Sequence, residues 1–275
     1  ALDYFDLYRK FTYTNQESYR LDHISYIELG EKKTGNPYET FRDWYTKDYQ
    51  SFIDYNINDI ELVDKLEDKL KLIDLCLTMA YEAKVNYEDV LGTVKYWDVL
   101  IHNYLMDKNI VIPQKVKKSK SEKYEGAYVK DPKAGMYNWV MSFDLNSLYP
   151  HLIMQYNISP ETLKSENTVP NIDVDKMLDQ KIDTQKLKEN DTITPNGALF
   201  DKSKKGFLPE MMQKIYDDRT VYKKKMIEAK KEYEKTKNPK LLKLISRYDN
   251  IQMARKISLN SAYGAIGNQY FRYYS

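Results

Sequence analysis

Cysteine is nearly missing from this chain. Cys76 stands alone among 275 residues, so no internal disulfide can form, which fits a reducing compartment. Histidine is almost as scarce. His23, His102 and His151, without cysteine partners, do not make a structural zinc site. No apolar run approaches a membrane span, and the first residues show no secretory signal. An excess of one sign of charge is also missing: the net charge of +2 is too small for bulk charge to select a partner. What remains, 42% hydrophobic and 31% charged residues, is the composition of a soluble globular chain long enough for two domains or for pieces of more.

Local charge says more than the total. Lysines gather at Lys115-Val116-Lys117-Lys118-Ser119-Lys120 and through residues 223–243. Such runs are usually solvated faces, though they also suit nucleic acid. Tyrosine is abundant, at 26 residues, and most of these must serve core or surface. Cys76, inside Leu72-Ile73-Asp74-Leu75-Cys76-Leu77, is expected to be packed. The chain opens on Ala1 and stops at Phe271-Arg272-Tyr273-Tyr274-Ser275 with no closing helix, so both ends read as cut from a larger protein.

Along the chain, the pattern predicts a strand-like start and then mixed helices, with a long amphipathic run from Glu61 through Leu77 and Ala80. Tyr96-Trp97-Asp98-Val99-Leu100-Ile101 has helical spacing, and Pro113 to Lys123 reads as a linker. Trp139-Val140-Met141-Ser142-Phe143-Asp144 reads as a β run ending in a carboxylate. Residues 163–205 suggest loops and short strands. Pro209 suits the first turn of a helix reaching Lys237, Asn238-Pro239 breaks it, and a second helix follows from Lys240 to about Ala262. Together these make a charged helical hairpin.

Two segments carry chemistry. In the first, Ser142 to Pro150, Asp144 at a strand end is placed to hold Mg²⁺, which prefers oxygen ligands and shares them with phosphates; the Leu145 carbonyl could add to the set. Amides of the Asn146-Ser147-Leu148 turn could face triphosphate oxygens. Tyr149, fixed by Pro150, would lie under a deoxyribose, where a 2′-hydroxyl would clash. Taken alone, Asp-x-x-Ser is equally a helix cap. In the second segment, Lys256, Asn260 and Tyr263 recur at i, i+4 and i+7 and so share one helix face. Lys256 can neutralise a triphosphate and protonate a leaving pyrophosphate, and Asn260 can donate to phosphate oxygens. Gly264 lets a base pair approach the backbone. Singly, each is an ordinary residue of a charged helix. Arg219 and Lys223, one turn apart, offer a guanidinium fork and a cation to the same phosphates, or form a solvated basic face.

These segments resemble family B DNA polymerases: Asp144 to Pro150 is similar to the family's Asp-x-x-Ser-Leu-Tyr-Pro, and Lys256 to Gly264 to its Lys-x-x-x-Asn-Ser-x-Tyr-Gly. Tyr124-Glu125-Gly126-Ala127 resembles its Tyr-x-Gly-Ala turn, and Tyr55-Asn56-Ile57-Asn58-Asp59 resembles the third motif of its proofreading exonuclease. Within the family the likeness is to replicative polymerases of T-even-type tailed bacteriophages, cyanophages included. The resemblance implies metal binding by Asp144, Leu145 and Asp59, and triphosphate binding by Ser147, Leu148, Arg219, Lys256 and Asn260. Lys223 would join them, and Lys256 would also act in catalysis. It implies a sugar gate at Tyr149, base-pair checking by Tyr263 and Gly264, and template contact by Tyr124 and Gly126. Tyr55 would orient a nuclease water beside Asp59. The family's second palm aspartate and the other nuclease carboxylates are not found in this sequence, His151 stands where Ser is common, and the hairpin reads as short.

The expected fold is α+β. It comprises the C-terminal part of a ribonuclease-H-like 3′–5′ exonuclease (1–71), a connecting segment (72–115), the first part of a ferredoxin-like palm (116–205), helical-hairpin fingers (206–269) and the start of a second palm part (270–275). The expected activity is template-directed nucleotidyl transfer from a deoxynucleoside triphosphate to a primer 3′-hydroxyl, with proofreading in the parent protein and no activity in the chain alone. A non-catalytic nucleic-acid-binding module is the alternative, and a nuclease without polymerase function a third reading. Implied partners are two Mg²⁺ ions, primer-template DNA, the triphosphate and a sliding clamp, in the cytoplasm of an infected bacterium and with no membrane.

Overall fold

The computed structural model describes residues 1–12, 14–115, 129–165 and 189–274. Tyr124, Gly126 and most of the lysine-rich linker lie outside them. Internal contacts divide the chain into two units, one of residues Ala1–Leu100 and Tyr222–Ala254, the other of Ile101–Val221 and Arg255–Ser275.

In the first unit the described residues form only helices. Helix α1 (Tyr4–Phe11) starts at Asp3, whose carboxylate accepts from the Phe5 amide at 2.9 Å, and buries Leu7, Tyr8 and Phe11. Apolar residues three and four apart define a helical stripe, so the expected strand-like start is a helix instead. Helix α2 (Leu21–Leu29) stops at Gly30, whose φ of 77° suits a residue without a Cβ. Helix α3 (Phe41–Lys47) is capped by Thr40, and α4 (Tyr49–Leu70) by Asp48; α2 and α3 both pack on α4. Helix α5 (Leu72–Ala83) packs on α1, and a 3₁₀ turn (Tyr87–Leu91) follows. The amphipathic run read as continuous from Glu61 to Ala80 is therefore two helices. Lys71, with φ 54°, is at once the C-cap of α4 and the N-cap of α5. Such a left-handed lysine leaves no trace in hydrophobic spacing.

Leu7, Leu62, Leu66, Cys76 and Met79 form the centre of this unit, joined by Tyr96 and Trp97 from α6 (Thr93–Asp107). Each fully buried side chain of that size contributes about 1.5–3 kcal/mol. Trp44, 2% exposed, centres an aromatic cluster with Phe41, Phe52 and Tyr55.

Two long helices, α8 (Phe207–Thr236) and α9 (Pro239–Ile266), contribute to both units. The break expected at Asn238-Pro239 is where they meet: Lys237 is left-handed, the Asn238 side chain accepts from the Lys240 amide at 3.1 Å, and Pro239 opens α9. Within the first unit Tyr222 of α8 meets Tyr248 of α9, ring centroids 6.1 Å apart.

The second unit contains α7 (Leu148–Tyr156) and a three-stranded antiparallel sheet of β1 (Leu163–Ser165), β2 (Asp191–Ile193) and β3 (Leu199–Asp201) in the order β1-β3-β2. Residues 194–198 turn β2 into β3 through Gly197, at φ 84°. The register sets Asp191 opposite Asp201, and Lys164 on β1 reaches both carboxylates, at 2.6 and 3.5 Å, relieving their repulsion. The observed architecture is thus α+β, dominated by helices.

The expected strand from Trp139 to Asp144 is absent. Trp139 has φ 61°, incompatible with an extended strand, and no described strand offers this run a hydrogen-bonding partner. Its side chains stand in the open: Trp139 is 98% exposed, Val140 78% and Phe143 87%.

Asn157 ties α7 to α8. It ends α7 in the left-handed region, at φ 56°, and is 4% exposed. Its Nδ2 donates to the carbonyls of Asp201 and of Lys204, the latter at 2.8 Å, while Oδ1 accepts from the Gly206 amide at 2.9 Å. The Thr162 hydroxyl donates to the Asn157 carbonyl at 2.6 Å. At Gly206 a Cβ would lie 2.5 Å from the Ser159 Cβ, so only glycine fits where the chain enters α8. From there Leu208, Met211, Met212 and Ile215 bury one side of the helix.

Candidate functional site

The first turn of α7 and the second half of α9 lie in the same unit and touch. The rings of Tyr149 and Tyr263 stack face to face, centroids 4.4 Å apart and planes 16° from parallel. The two sequence segments that carry the chemistry are therefore joined in space.

The first segment is built around Ser147, a left-handed N-cap at φ 53°. Its carbonyl accepts from the His151 amide at 3.1 Å and lies 2.9 Å from His151 Nδ1. A carbonyl only accepts, so Nδ1 carries the proton. The imidazole then meets the ring of Tyr216 on α8 edge to face, at 4.8 Å and 82°. His151, a departure from the family pattern, thus links the turn to α8. Pro150 is buried and anchors the first turn of α7, while Asp144, Leu145, Leu148 and Tyr149 remain exposed. The backbone at Asn146 and Ser147 forms a tight turn, as expected.

On α9, Ile257, Leu259, Ala262 and Ala265 are buried, which leaves Asn260, Tyr263 and Gly264 exposed and Lys256 half-buried. A Cβ on Gly264 would meet nothing within 4 Å, so packing inside the chain does not require glycine there. Arg255 pairs with Asp218 of α8 at 3.6 Å. Beside Asp218, Arg219 is half-buried, and its Nε is enclosed without a hydrogen-bond partner among the described residues. A cation left this way gains from an anion. Lys223, one turn further along α8, is exposed. At the base of α8, Lys108 of α6 binds Glu210 at 2.6 Å. The hydrogen bond from Lys108 holds the Glu210 carboxyl below its usual range, and the same contact raises the Lys108 ammonium.

Asp59 and Tyr55 lie on α4, in the other unit, and are a separate matter. Asp59 Oδ2 is 2.7 Å from Lys33 Nζ, and that ammonium also sits 4.9 Å from the centre of the Tyr55 ring. Burial would lower the lysine, but hydrogen bonds with Asp59 and Tyr55 outweigh it, and Lys33 is held above its usual range. Asp59 Oδ1 is buried with no partner among the described residues. One carboxylate oxygen is thus committed to Lys33 and the other is enclosed without a donor among the described residues. Sequence reasoning missed Lys33, His151 as a link and the Arg255–Asp218 pair. Lys33 is separated from Asp59 by two helix starts, and nothing in linear spacing marks it.

Among the described residues no three or more of His, Cys, Asp and Glu gather around one point. Asp144 with the Leu145 carbonyl is a partial, hard-oxygen donor set. That chemistry fits Mg²⁺, which keeps waters and completes its shell with substrate phosphates. No helix among the described residues is long and apolar enough to cross a membrane.

Over the whole of its length the chain is 35% identical to the DNA-directed DNA polymerase of Escherichia phage RB69, and over 99% of it 33% identical to that of Enterobacteria phage T4. DNA polymerase 1 of Pyrococcus abyssi is 33% identical over 66% of the chain. The chain spans 34% of the length of the two phage enzymes. The family model for DNA polymerase family B matches residues 93–275, a stretch that holds both rings of the tyrosine stack. With that family model covering residues 93–275 and a phage relative 35% identical over the whole chain, this chain belongs to DNA polymerase family B.

Proposed function

We propose that the chain supplies part of the nucleotide-binding site of a template-directed DNA polymerase, which adds deoxynucleotides to a primer 3′-hydroxyl. The stack of Tyr149 on Tyr263 carries the reading, because it brings a carboxylate-bearing turn and a cation-bearing helix to one place. Asp144 and the Leu145 carbonyl would hold Mg²⁺, with amides at Ser147 and Leu148 turned to the β- and γ-phosphates. When bound, two such ions activate the primer hydroxyl and neutralise the pyrophosphate oxygens. Lys256 offsets charge building on the bridging oxygen and is placed to donate a proton to it. Arg219, Lys223 and Asn260 grip the outer phosphates; the enclosed, unpartnered Nε of Arg219 supports that role. Tyr149 excludes a 2′-hydroxyl, while Tyr263 and Gly264 read the nascent base pair. Tyr124 and Gly126 would touch template, and primer-template DNA and a sliding clamp are the partners in an infected bacterial cell.

In subdomain terms the proposal assigns 1–71 to the end of a ribonuclease-H-like exonuclease, 72–115 to a connection, 116–205 to palm, 206–269 to fingers and 270–275 to a second palm part. Asp59, through its orphan oxygen, would hold a nuclease metal, and Tyr55 would align water there. One aspartate cannot fix two ions, so the 275-residue chain alone should not extend a primer.

The test is Asp144→Ala in the full-length protein that carries this chain. Primer extension should disappear while DNA binding remains. Near wild-type extension by that variant would remove the metal assignment. Salt-sensitive DNA binding that ignores added triphosphate would favour a purely binding module instead.

A further inference from the structure

We infer that Tyr263 is a positioning residue for the sugar gate: its ring sets the plane of Tyr149, so that discrimination against ribonucleotides depends on a residue that need not touch the sugar. The inference rests on Tyr149 being the gate, as proposed above.

A steric gate works on a difference of one oxygen atom. A ring free to swing about its side-chain torsions would yield to that oxygen rather than reject it. Tyr149 is a poor candidate for a self-supporting gate. It sits in the first turn of α7 and is 43% exposed, so its own helix leaves much of the ring unconfined. The buried Pro150 fixes the backbone there but not the tyrosine ring. The stack supplies what is missing. A 16° interplanar angle at 4.4 Å is an offset stack with the two faces in contact, which resists tilting of the Tyr149 ring toward Tyr263. Tyr263 is itself 43% exposed, but its backbone is anchored by the buried Ala262 and Ala265 on either side.

The support also comes from a telling place. Tyr263 shares one face of α9 with Lys256 and Asn260, at spacings of seven and three residues. The helix proposed to hold the phosphates is therefore the helix that holds the gate upright. Sugar selection then acts at full strength only when α9 is seated against α7, and a change on α9 alters sugar choice without altering the gate itself.

The experiment measures single-nucleotide insertion by the full-length protein carrying this chain. The readout is the ratio of kcat/KM for a deoxynucleoside triphosphate to that for the matching ribonucleoside triphosphate. A ratio cancels any loss of active fraction, so partial misfolding does not mimic the effect. Four variants are compared: Tyr149→Ala, Tyr263→Phe, Tyr263→Leu and the double variant Tyr149→Ala with Tyr263→Leu. Tyr263→Phe keeps a ring and should hold the ratio within about twofold, since stacking does not need the hydroxyl. Tyr263→Leu should lower it by about tenfold, the upper end of what one aromatic pair supplies. Tyr149→Ala should collapse the ratio, and the double variant should match it, because a missing gate cannot be misplaced further.

An unchanged ratio in Tyr263→Leu, beside a collapsed one in Tyr149→Ala, overturns the inference and leaves the gate standing. A further drop in the double variant below Tyr149→Ala also overturns it, since Tyr263 would then act independently. A Tyr149→Ala variant with the wild-type ratio removes the gate reading and the inference together. Tyr263→Met, a flexible side chain of similar reach, serves as the second non-aromatic probe if the leucine variant does not fold.

Discussion

Replacing Asn157 by aspartate changes one atom group and almost no volume, yet it should be among the costliest substitutions in the second unit. Asn157 donates two hydrogen bonds from Nδ2, to the Asp201 and Lys204 carbonyls, and accepts one at Oδ1 from the Gly206 amide. In Asn157→Asp the acceptor survives. The donor becomes an oxygen pressed against two carbonyl oxygens, and the side chain, 4% exposed, gains a charge. Losing two part-buried hydrogen bonds and placing an uncompensated charge on a side chain only 4% exposed should together cost about 3–5 kcal/mol. Asn157→Ala, which loses all three bonds and places alanine at φ 56°, should fall in the same range, with about 1–2 kcal/mol of it from the backbone alone. Urea unfolding followed by far-UV circular dichroism measures both. Asn109→Asp is the control: Asn109 is also left-handed, at φ 56°, but exposed. It should change stability by no more than about 0.5 kcal/mol. Equal effects of the two aspartate variants would refute the buried-network account.

Gly206→Ala should destabilise by about 1–3 kcal/mol in the same assay, because its Cβ would meet that of Ser159 at 2.5 Å; a neutral result would show that the loop before α8 yields easily. Trp44→Ala should cost about 3–5 kcal/mol by emptying the aromatic cluster around it, a loss read as a lower urea midpoint. The Lys108–Glu210 pair gives a pH signature. Glu210 is depressed, so its contribution is full above the ordinary carboxyl value of 4.5 and fades as pH falls through its folded value. Lys108 is raised, so its contribution is full below 10.5 and fades as pH climbs beyond its folded value. Glu210→Gln should therefore lower stability at neutral pH and flatten the acid limb of a stability–pH curve, so that variant and parent converge at low pH; an unaltered acid limb would remove the pair from the account. The Cys76 thiol is fully enclosed and pushed up by burial, so its reaction with a thiol reagent should wait on unfolding. Fast labelling of the native chain would contradict the packing.

The chemistry-bearing motifs were legible in the sequence because they are dense and local. Lys256, Asn260 and Tyr263 needed only the helical repeat, and Asn238-Pro239 needed only turn chemistry. What escaped depends on pairing across distance. Trp139 to Asp144 has the composition of a strand, but a strand is a relation to a neighbour, and no described strand stands beside it. Lys71 reads like any surface lysine while breaking one apparent helix into α4 and α5. Lys33 beside Asp59 and Asn157 beneath Gly206 are contacts between residues remote in the chain, which no periodicity encodes. The contact between Tyr149 and Tyr263 lies between these cases: each ring was marked by its motif, and only the coordinates show them face to face.

The openness of Trp139 makes the chain its own spectroscopic reporter. Of the three tryptophans, Trp44 and Trp97 are sealed at 2% and 1% exposure, and Trp139 is bare at 98%. Iodide should quench one indole and spare two, and the red-shifted part of the emission should belong to the indole five residues before Asp144. Cations, triphosphates or a covering polypeptide arriving at that turn can then be followed by intrinsic fluorescence, without attaching a dye to the molecule.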